Sequence, residues 1–377
     1  MIALLFWICV GLVIYIYIGY PLLIGWLART FGREPDRKPI RPRVSFLIPA
    51  YNEQAHIEAK LRNSLALDYP RELLEIVVAN DGSTDRTVEI IGSFAGRGIR
   101  MESMPSNIGK TAMLGRVMPS LSGEIVVFSD TSSQLEPSAL LRLVENFADP
   151  RVGCVSGLYR LLSSDDDLRG QGEGLYWRYE TGIKAQESRL HSILGAHGAF
   201  YAIRRELFAK LKRGSVNDDY LIPMRIVQQG FRAVYDPRAV AWERESASIG
   251  GEFARRKRIA VGNCQQMVEL REMLHPRYGW VAFSFFSHKV LRTLAPVFLL
   301  ALLLLSFGLP TPWRMVSLSL QFLLYGSAAL GYICQRSGYT VRWLAPPLYF
   351  TLGNLAMLAG LWIYLFRRRS ISWGTRA

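Results

Sequence analysis

The sequence predicts an α/β domain with a mainly parallel sheet, carried by a chain that also crosses a membrane. Three observations predict it. Apolar strand-like runs alternate with helix-like runs from Arg43 onward. Polar and acidic residues gather at the carboxyl ends of those strand runs. Long apolar stretches crowd into the first 30 residues and into 290–366, although hydrophobic residues make up only 50% of the whole. At 377 residues the chain has room for about two domains.

The first element is Met1–Leu27, which contains no charged residue. About 20 apolar residues cross a bilayer, so a transmembrane helix is expected over 1–28. No basic segment precedes it and no convincing small-residue cleavage site follows, which argues against a signal peptide. The flank after it carries Arg29, Arg33, Arg37, Lys38, Arg41 and Arg43. The positive-inside rule then places the N-terminus outside and the next domain in the cytoplasm. Further spans are expected at roughly 293–309, 313–334 and 343–366. In 276–292, Arg277, His288, Lys289 and Arg292 mix with Trp280, Phe283, Phe285 and Phe286. That mixture suits an amphipathic helix lying in the membrane interface, or a surface helix packed on the soluble domain. Four crossings would leave Arg367, Arg368 and Arg369 outside, against the charge rule. A partial crossing by 343–366, with Pro346-Pro347 near its start, would keep them inside. Both layouts stay open.

Between these segments the elements follow in order. Val44–Ile48 is an apolar strand ending at Pro49, and 53–66 reads as a helix. Leu74–Ala79 is a second strand, ending in Asn80-Asp81-Gly82. Helices are expected over 84–95 and 109–119, and a strand over 124–128. Alternation of this kind gives βαβ units and a parallel sheet. Ligands of such sheets bind at the carboxyl ends of the strands. There the sequence reads PAYNE (49–53), NDGSTD (80–85) and SDTSS (129–133). Glu53, Asp81 and Asp130 would meet on one edge. Turn and cap chemistry explains any one of them; three at equivalent places favour a site.

Charge and cysteine content set limits. With 45 basic and 31 acidic residues the chain carries +14. Such a balance suits an anionic membrane, a phosphate-bearing ligand or nucleic acid. Nucleic acid is set aside, because the basic residues cluster beside the membrane segments and no recognition module is present. Cys9, Cys154, Cys264 and Cys334 stand far apart, which argues against a disulfide framework or a zinc site.

In this order, PAYNE, NDGSTD, NIGK (107–110), SDTSS and VNDDYLIPMRIVQQGFRAVYDP (216–237) resemble the motifs of a family 2 glycosyltransferase of GT-A fold. The resemblance covers roughly 43–275, within an expected domain of 40–275. A GxGxxG fingerprint is absent after the first strand, against a dinucleotide oxidoreductase. The resemblance implies an inverting transfer from a nucleotide-diphosphate sugar, UDP-linked in the first expectation. It places Tyr51, Glu53 and Asp81 at the nucleoside and Lys110 near the diphosphate. Asp130 matches the first acid of the family's DxD, beside ribose and metal. The second acid of that motif is Ser132 here, a poorer ligand for Mg²⁺ or Mn²⁺. Asp219, after Asp218, matches the general base; the plain alternative for the pair is a helix N-cap. His197 and Gly198, in GAHGAF, resemble the acceptor-side segment. The processive QxxRW is reduced to Arg258 within EFARRKRIAVGN (252–263), while Ser372–Arg376 resembles the WGT(K/R) ending of chitin and chitooligosaccharide synthases. Processive and single addition both stay open. The implied partners are a nucleotide-sugar donor, a glycan or lipid-linked acceptor, membrane lipids and proteins of a polysaccharide export system at a bacterial inner membrane. The rival reading is a non-catalytic membrane partner of a synthase.

Overall fold

The computed structural model describes residues 1–162, 168–212, 214–244, 249–337, 339 and 341–366. The three arginines at 367–369 and the Ser372–Arg376 motif lie outside the described residues. The strands are β1 (Val44–Ala50), β2 (Leu74–Asn80), β3 (Ile99–Ser103), β4 (Ile125–Phe128), β5 (Ser133–Leu135), β6 (Val152–Leu162), β7 (Tyr201–Arg204) and β8 (Arg232–Arg244). The helices begin with α1 (Ile2–Ile14), α2 (Tyr20–Phe31), α3 (Ile57–Leu65), α4 (Thr87–Gly92), α5 (Lys110–Val117), α6 (Ala139–Val144) and α7 (Leu168–Leu190). They continue with α8 (Asp218–Gln228), α9 (Ile249–Glu269), α10 (Trp280–Ser284), α11 (Leu291–Ser306), α12 (Trp313–Arg336) and α13 (Ala345–Phe366).

The chain falls into two units. One takes Phe31–Leu162 and Lys184–Arg244, and is built on an eight-stranded sheet in the order β3-β2-β1-β4-β7-β6-β8-β5. β1 pairs in parallel with β2 and β4, and β2 with β3. β7 then runs antiparallel to both β4 and β6. The sheet is therefore parallel on one side and mixed on the other. β1 and β4 are buried along their whole length, so they read as continuous apolar runs, as strands covered on both faces do. The first helix starts at Ile57 instead of residue 53. Asn52 takes a positive φ of 54° and the turn through Glu53–His56 comes first.

The other unit takes Met1–Thr30, Ser163–Ile183 and Glu245–Arg369. Among the described residues, four helical stretches are long and apolar enough to cross a membrane: Ile2–Phe31, Trp280–Ser306, Trp313–Arg336 and Arg342–Phe366. The first includes a π-helical turn at Tyr15–Gly19, the second one at Phe285–Val290. No proline or glycine falls between Trp280 and Ala295. The aromatic and basic stretch therefore runs straight into the apolar one, as the opening half of a longer helix. Polar pins join these helices. The hydroxyls of Tyr15 and Ser287 lie 2.8 Å apart, and Tyr17 donates to Asn354 at 3.0 Å. Glu180 of α7 accepts from His288 and Arg292, and the Arg292 guanidinium sits over the rings of Tyr17 and Tyr179. α9 lies against α13, where Gly360 approaches Ala260 too closely for any side chain, and Arg256 stacks on Tyr349.

Candidate active site

The site is built at the carboxyl ends of β1, β2 and β4. After β1 the chain is stitched to the loop after β2: the Asn52 amide donates to Ser83 Oγ at 2.9 Å, and the Glu53 amide to Thr87 Oγ1 at 2.8 Å. Tyr51 is half-buried and Glu53 buried at this edge. After β2, Gly82 takes φ +70°, and a Cβ there would lie 2.5 Å from the backbone of Ser106. Only glycine fits, which brings the 106–109 segment against β2. Asp81 holds that segment. Its Oδ1 accepts from the Ile108 amide and its Oδ2 from the Gly109 amide, each at 2.9 Å. Burial pushes its carboxyl up, against those two bonds. Both oxygens of the acid expected beside a nucleobase are thus engaged in setting the loop that delivers Lys110.

Lys110 opens α5, directly after Gly109 at φ +90°. Its Nζ lies 3.2 Å from Asp130 Oδ1 and 3.3 Å from Asp218 Oδ2. Burial works to lower this ammonium's pKa, but Asp130, Asp218 and Asp219 together outweigh it and raise it. Asp218 and Asp219 are the first residues of α8, and Asn217 is the cap residue. Two acids in a first helical turn are favoured by the helix dipole. Asp219 Oδ2 accepts from the Gly198 amide at 3.1 Å. A Cβ on Gly198 would lie 3.2 Å from both Asp130 Oδ2 and Asp219 Oδ2. Gly198 is therefore the spacer between the two acids. Burial raises the carboxyl of Asp219 above the ordinary aspartate range, and Asp218 adds to the shift while Lys110 opposes it. Asp218 is raised by burial as well, against Lys110.

His197 lies flat on Tyr159, with ring centroids 4.0 Å apart and an interplanar angle of 15°. Its Nδ1 accepts from the Ala199 amide, so a neutral ring carries its proton on Nε2. Arg258 belongs to α9 in the helical unit. Among the described residues, no group of three or more His, Cys, Asp or Glu side chains is arranged to hold a metal ion. Asp130 nonetheless suits a hard divalent cation: its carboxylate is 42% exposed and stands at the open edge. Ser132 follows two residues later. Mg²⁺ commonly uses one or two carboxylates and takes its other ligands from phosphates and water. The donor set at Asp130 fits that use.

Sequence reasoning missed Lys60. It is fully buried on α3, bonded to Ser129 and Ser133 on either side of Asp130. Burial lowers its pKa to about 7, against the charges of Asp130 and Glu243. A signal was present: Lys60 stands in register with Ile57, Leu61 and Ser64, all buried on one helical face.

The sequence model of glycosyl transferase family 2 matches residues 45–212. The chain is similar to the probable glycosyltransferase YdaM of Bacillus subtilis, at 28% identity over 243 residues, covering 59% of this chain and 55% of that protein. It is similar to the poly-beta-1,6-N-acetyl-D-glucosamine synthase of Staphylococcus epidermidis, at 27% identity over 225 residues, covering 58% of this chain and 54% of the synthase. The chain thus spans about half the length of these curated relatives. Among solved structures, the mannosyltransferase PcManGT of Pyrobaculum calidifontis, in complex with GDP-Man and Mn2+, matches with a TM-score of 0.76 and 25% identity. That match covers 97% of this chain and 100% of PcManGT. The sheet unit has the GT-A glycosyltransferase fold.

Proposed function

We propose that this protein is a membrane glycosyltransferase that moves a sugar from a nucleotide-diphosphate donor to a glycan or lipid-linked acceptor, with inversion. The observation that carries the reading is the meeting of Lys110, Asp130, Asp218 and Asp219 around Gly198. In this reading the donor's diphosphate lies by Lys110 and Asp130, with the nucleoside along Tyr51, Glu53 and the loop held by Asp81. Asp130, with Ser132 beside it, would hold a divalent cation together with the donor phosphates. When bound, that cation neutralises charge on the departing nucleotide. Asp219 takes the proton of the attacking acceptor hydroxyl, and its raised pKa suits a base working near neutrality. The Gly198 amide fixes the carboxylate that does so. With one base and no nucleophile motif in the sequence, direct displacement with inversion is the simplest route. His197 and Gly198 border the acceptor, and Arg258 adds positive charge on the donor side.

The basic flank after α2 supports a cytoplasmic sheet unit and a bacterial inner-membrane location. Both nucleobases are in play for the donor: UDP from the first reading of the motifs, GDP from the likeness to a protein solved with GDP-Man. Polysaccharide extension, with partner proteins of an export system, is the version that the poly-beta-1,6-N-acetyl-D-glucosamine synthase likeness favours. The test is release of free nucleotide from a panel of UDP- and GDP-sugars, with purified protein, Mn²⁺ and a membrane extract as acceptor source. Release from at least one donor supports the reading. No release across the panel would leave the non-catalytic partner as the better account.

A further inference from the structure

The buried ammonium of Lys60 is the feature that the transfer chemistry does not yet use. It sits under the end of β4, with no exposure to solvent. Nζ donates to Ser129 Oγ at 2.6 Å, to the Ser133 carbonyl at 2.8 Å and to Ser133 Oγ at 3.2 Å. Three N–H donors thus meet three neutral oxygens. The ring of Phe46 lies 5.4 Å away on another side. An ammonium held by neutral oxygens inside a protein is expensive, because desolvation is only partly offset. A methionine would fill the same volume without that cost. The question is what the charge holds in place.

The two serines answer it. They bracket Asp130, one before it and one three residues after. Ser129 Oγ and Ser133 Oγ both lie within bonding distance of the Ala199 carbonyl, at 2.7 and 3.0 Å. Ser133 Oγ also reaches the carbonyl of Asp130 at 2.8 Å. Lys60 donates to both hydroxyl oxygens, and the hydroxyl hydrogens then point at Ala199, at Asp130 or at the partner serine 3.0 Å away. Ala199 follows Gly198, whose amide binds Asp219 and whose Cα faces Asp130. One ammonium therefore lies at the joint between the turn carrying Asp130 and the segment carrying Gly198. Loosening that joint changes the separation of Asp130 and Asp219, the two acids that Gly198 spaces.

We propose that Lys60 is a positioning residue for the transfer reaction, holding the Asp130 turn and the Gly198 segment in register from beneath the site. This rests on the glycosyltransferase reading above. A lysine that served only core stability would lower the unfolding temperature and leave the kinetics of the folded fraction unchanged. A positioning lysine alters the concentrations of donor and Mn²⁺ needed.

The experiment compares Lys60→Met, Lys60→Gln and Ser133→Ala with the parent in the full-length protein. Leu143→Ala, a lesion at a fully buried α6 residue, serves as a control for destabilisation. Two readouts are taken: nucleotide release at varied donor and Mn²⁺, and binding of UDP and of GDP in the presence of Mn²⁺ by calorimetry. Lys60→Met is expected to lose at least about tenfold in kcat/KM, with higher half-saturating donor and Mn²⁺. It is also expected to bind the cognate nucleotide at least about fivefold more weakly. Lys60→Gln, which keeps N–H donors, falls between Lys60→Met and the parent. Ser133→Ala moves the same way by a smaller factor, and Leu143→Ala lowers only the unfolding temperature. Kinetics and nucleotide binding of Lys60→Met within about twofold of the parent would overturn the proposal. If that variant does not fold, parent-like values for Ser133→Ala overturn it instead. The binding arm decides even where no donor is turned over, so failure of the function and failure of the proposal are separately visible.

Discussion

The two sides of the sheet reach the site in different ways. On the parallel side, β1, β2 and β4 each end in a loop that presents an acid; backbone amides tie the loop after β1 to side chains after β2, and Asp81 to the segment before α5. On the mixed side, the strands end elsewhere. Gly198 precedes β7, and Asp218 and Asp219 open a helix. The parallel side sets a fixed frame through repeated geometry. The mixed side adds two close approaches, one at a glycine amide and one at a helix start. Lys110 is the cation shared between them. The two sides should therefore respond differently to change: the frame is held by backbone amides on side chains, whereas the joint rests on Lys110, Lys60 and the two serines around the Gly198 segment.

Four changes at this joint would break or sharpen that contrast, in decreasing order of effect. Asp219→Asn keeps shape and removes the base. Turnover should fall by about 10²–10⁴-fold, while nucleotide binding with Mn²⁺ persists; near-normal turnover would end the assignment. Lys110→Met removes the shared cation from among three acids. A loss on the order of 100-fold in kcat/KM is expected, measured as nucleotide release, together with weaker nucleotide binding. Gly198→Ala pushes a methyl group between Asp130 and Asp219, at 3.2 Å from each. A drop of about tenfold in kcat with a parent-like unfolding temperature would mark Gly198 as a spacer. Equal losses in both would mark it as a packing residue. Ser132→Asp supplies a second carboxylate, and the Mn²⁺ needed for half-maximal rate should drop by about threefold. No change there would mean that position 132 does not limit metal use.

The pH dependence follows from the same joint. Asp219 is raised by burial and by Asp218, and a general base works deprotonated. Activity is therefore lost as pH falls through the raised value, and retained above it. The acidic limb of kcat/KM should sit above the ordinary aspartate value of about 3.9, reported as a joint titration of the Asp218–Asp219 pair. A limb at or below the ordinary value would separate Asp219 from proton transfer.

Legibility in the sequence followed the same division. β1, β2 and β4 are apolar runs with punctuated ends, and they are read directly. β3 is a half-exposed edge strand, IRMES, with no clean alternation. β6 and β8 pair with each other across a long sequence separation and carry polar interruptions. β7 has four residues. Their pairing is decided by tertiary packing, which no local window contains. Site residues on the parallel side stood at strand ends and were visible as a pattern. Asp218 and Asp219 were visible only through motif resemblance. Lys60 was hidden by its own type, since a lysine on a helix reads as solvated unless its apolar neighbours are counted.

Connectivity has a practical consequence for anyone preparing the protein. Over the described residues the chain passes between the two units four times, near residues 30, 162, 184 and 244. No single cut frees the sheet unit. A soluble fragment over 40–275 would still carry Tyr179 and Glu180, whose partners Tyr17, His288 and Arg292 it would lack. That truncation strips the Glu180 carboxylate of the cations that hold it. Full-length protein in detergent or nanodiscs is the preparation that preserves what the chain holds together.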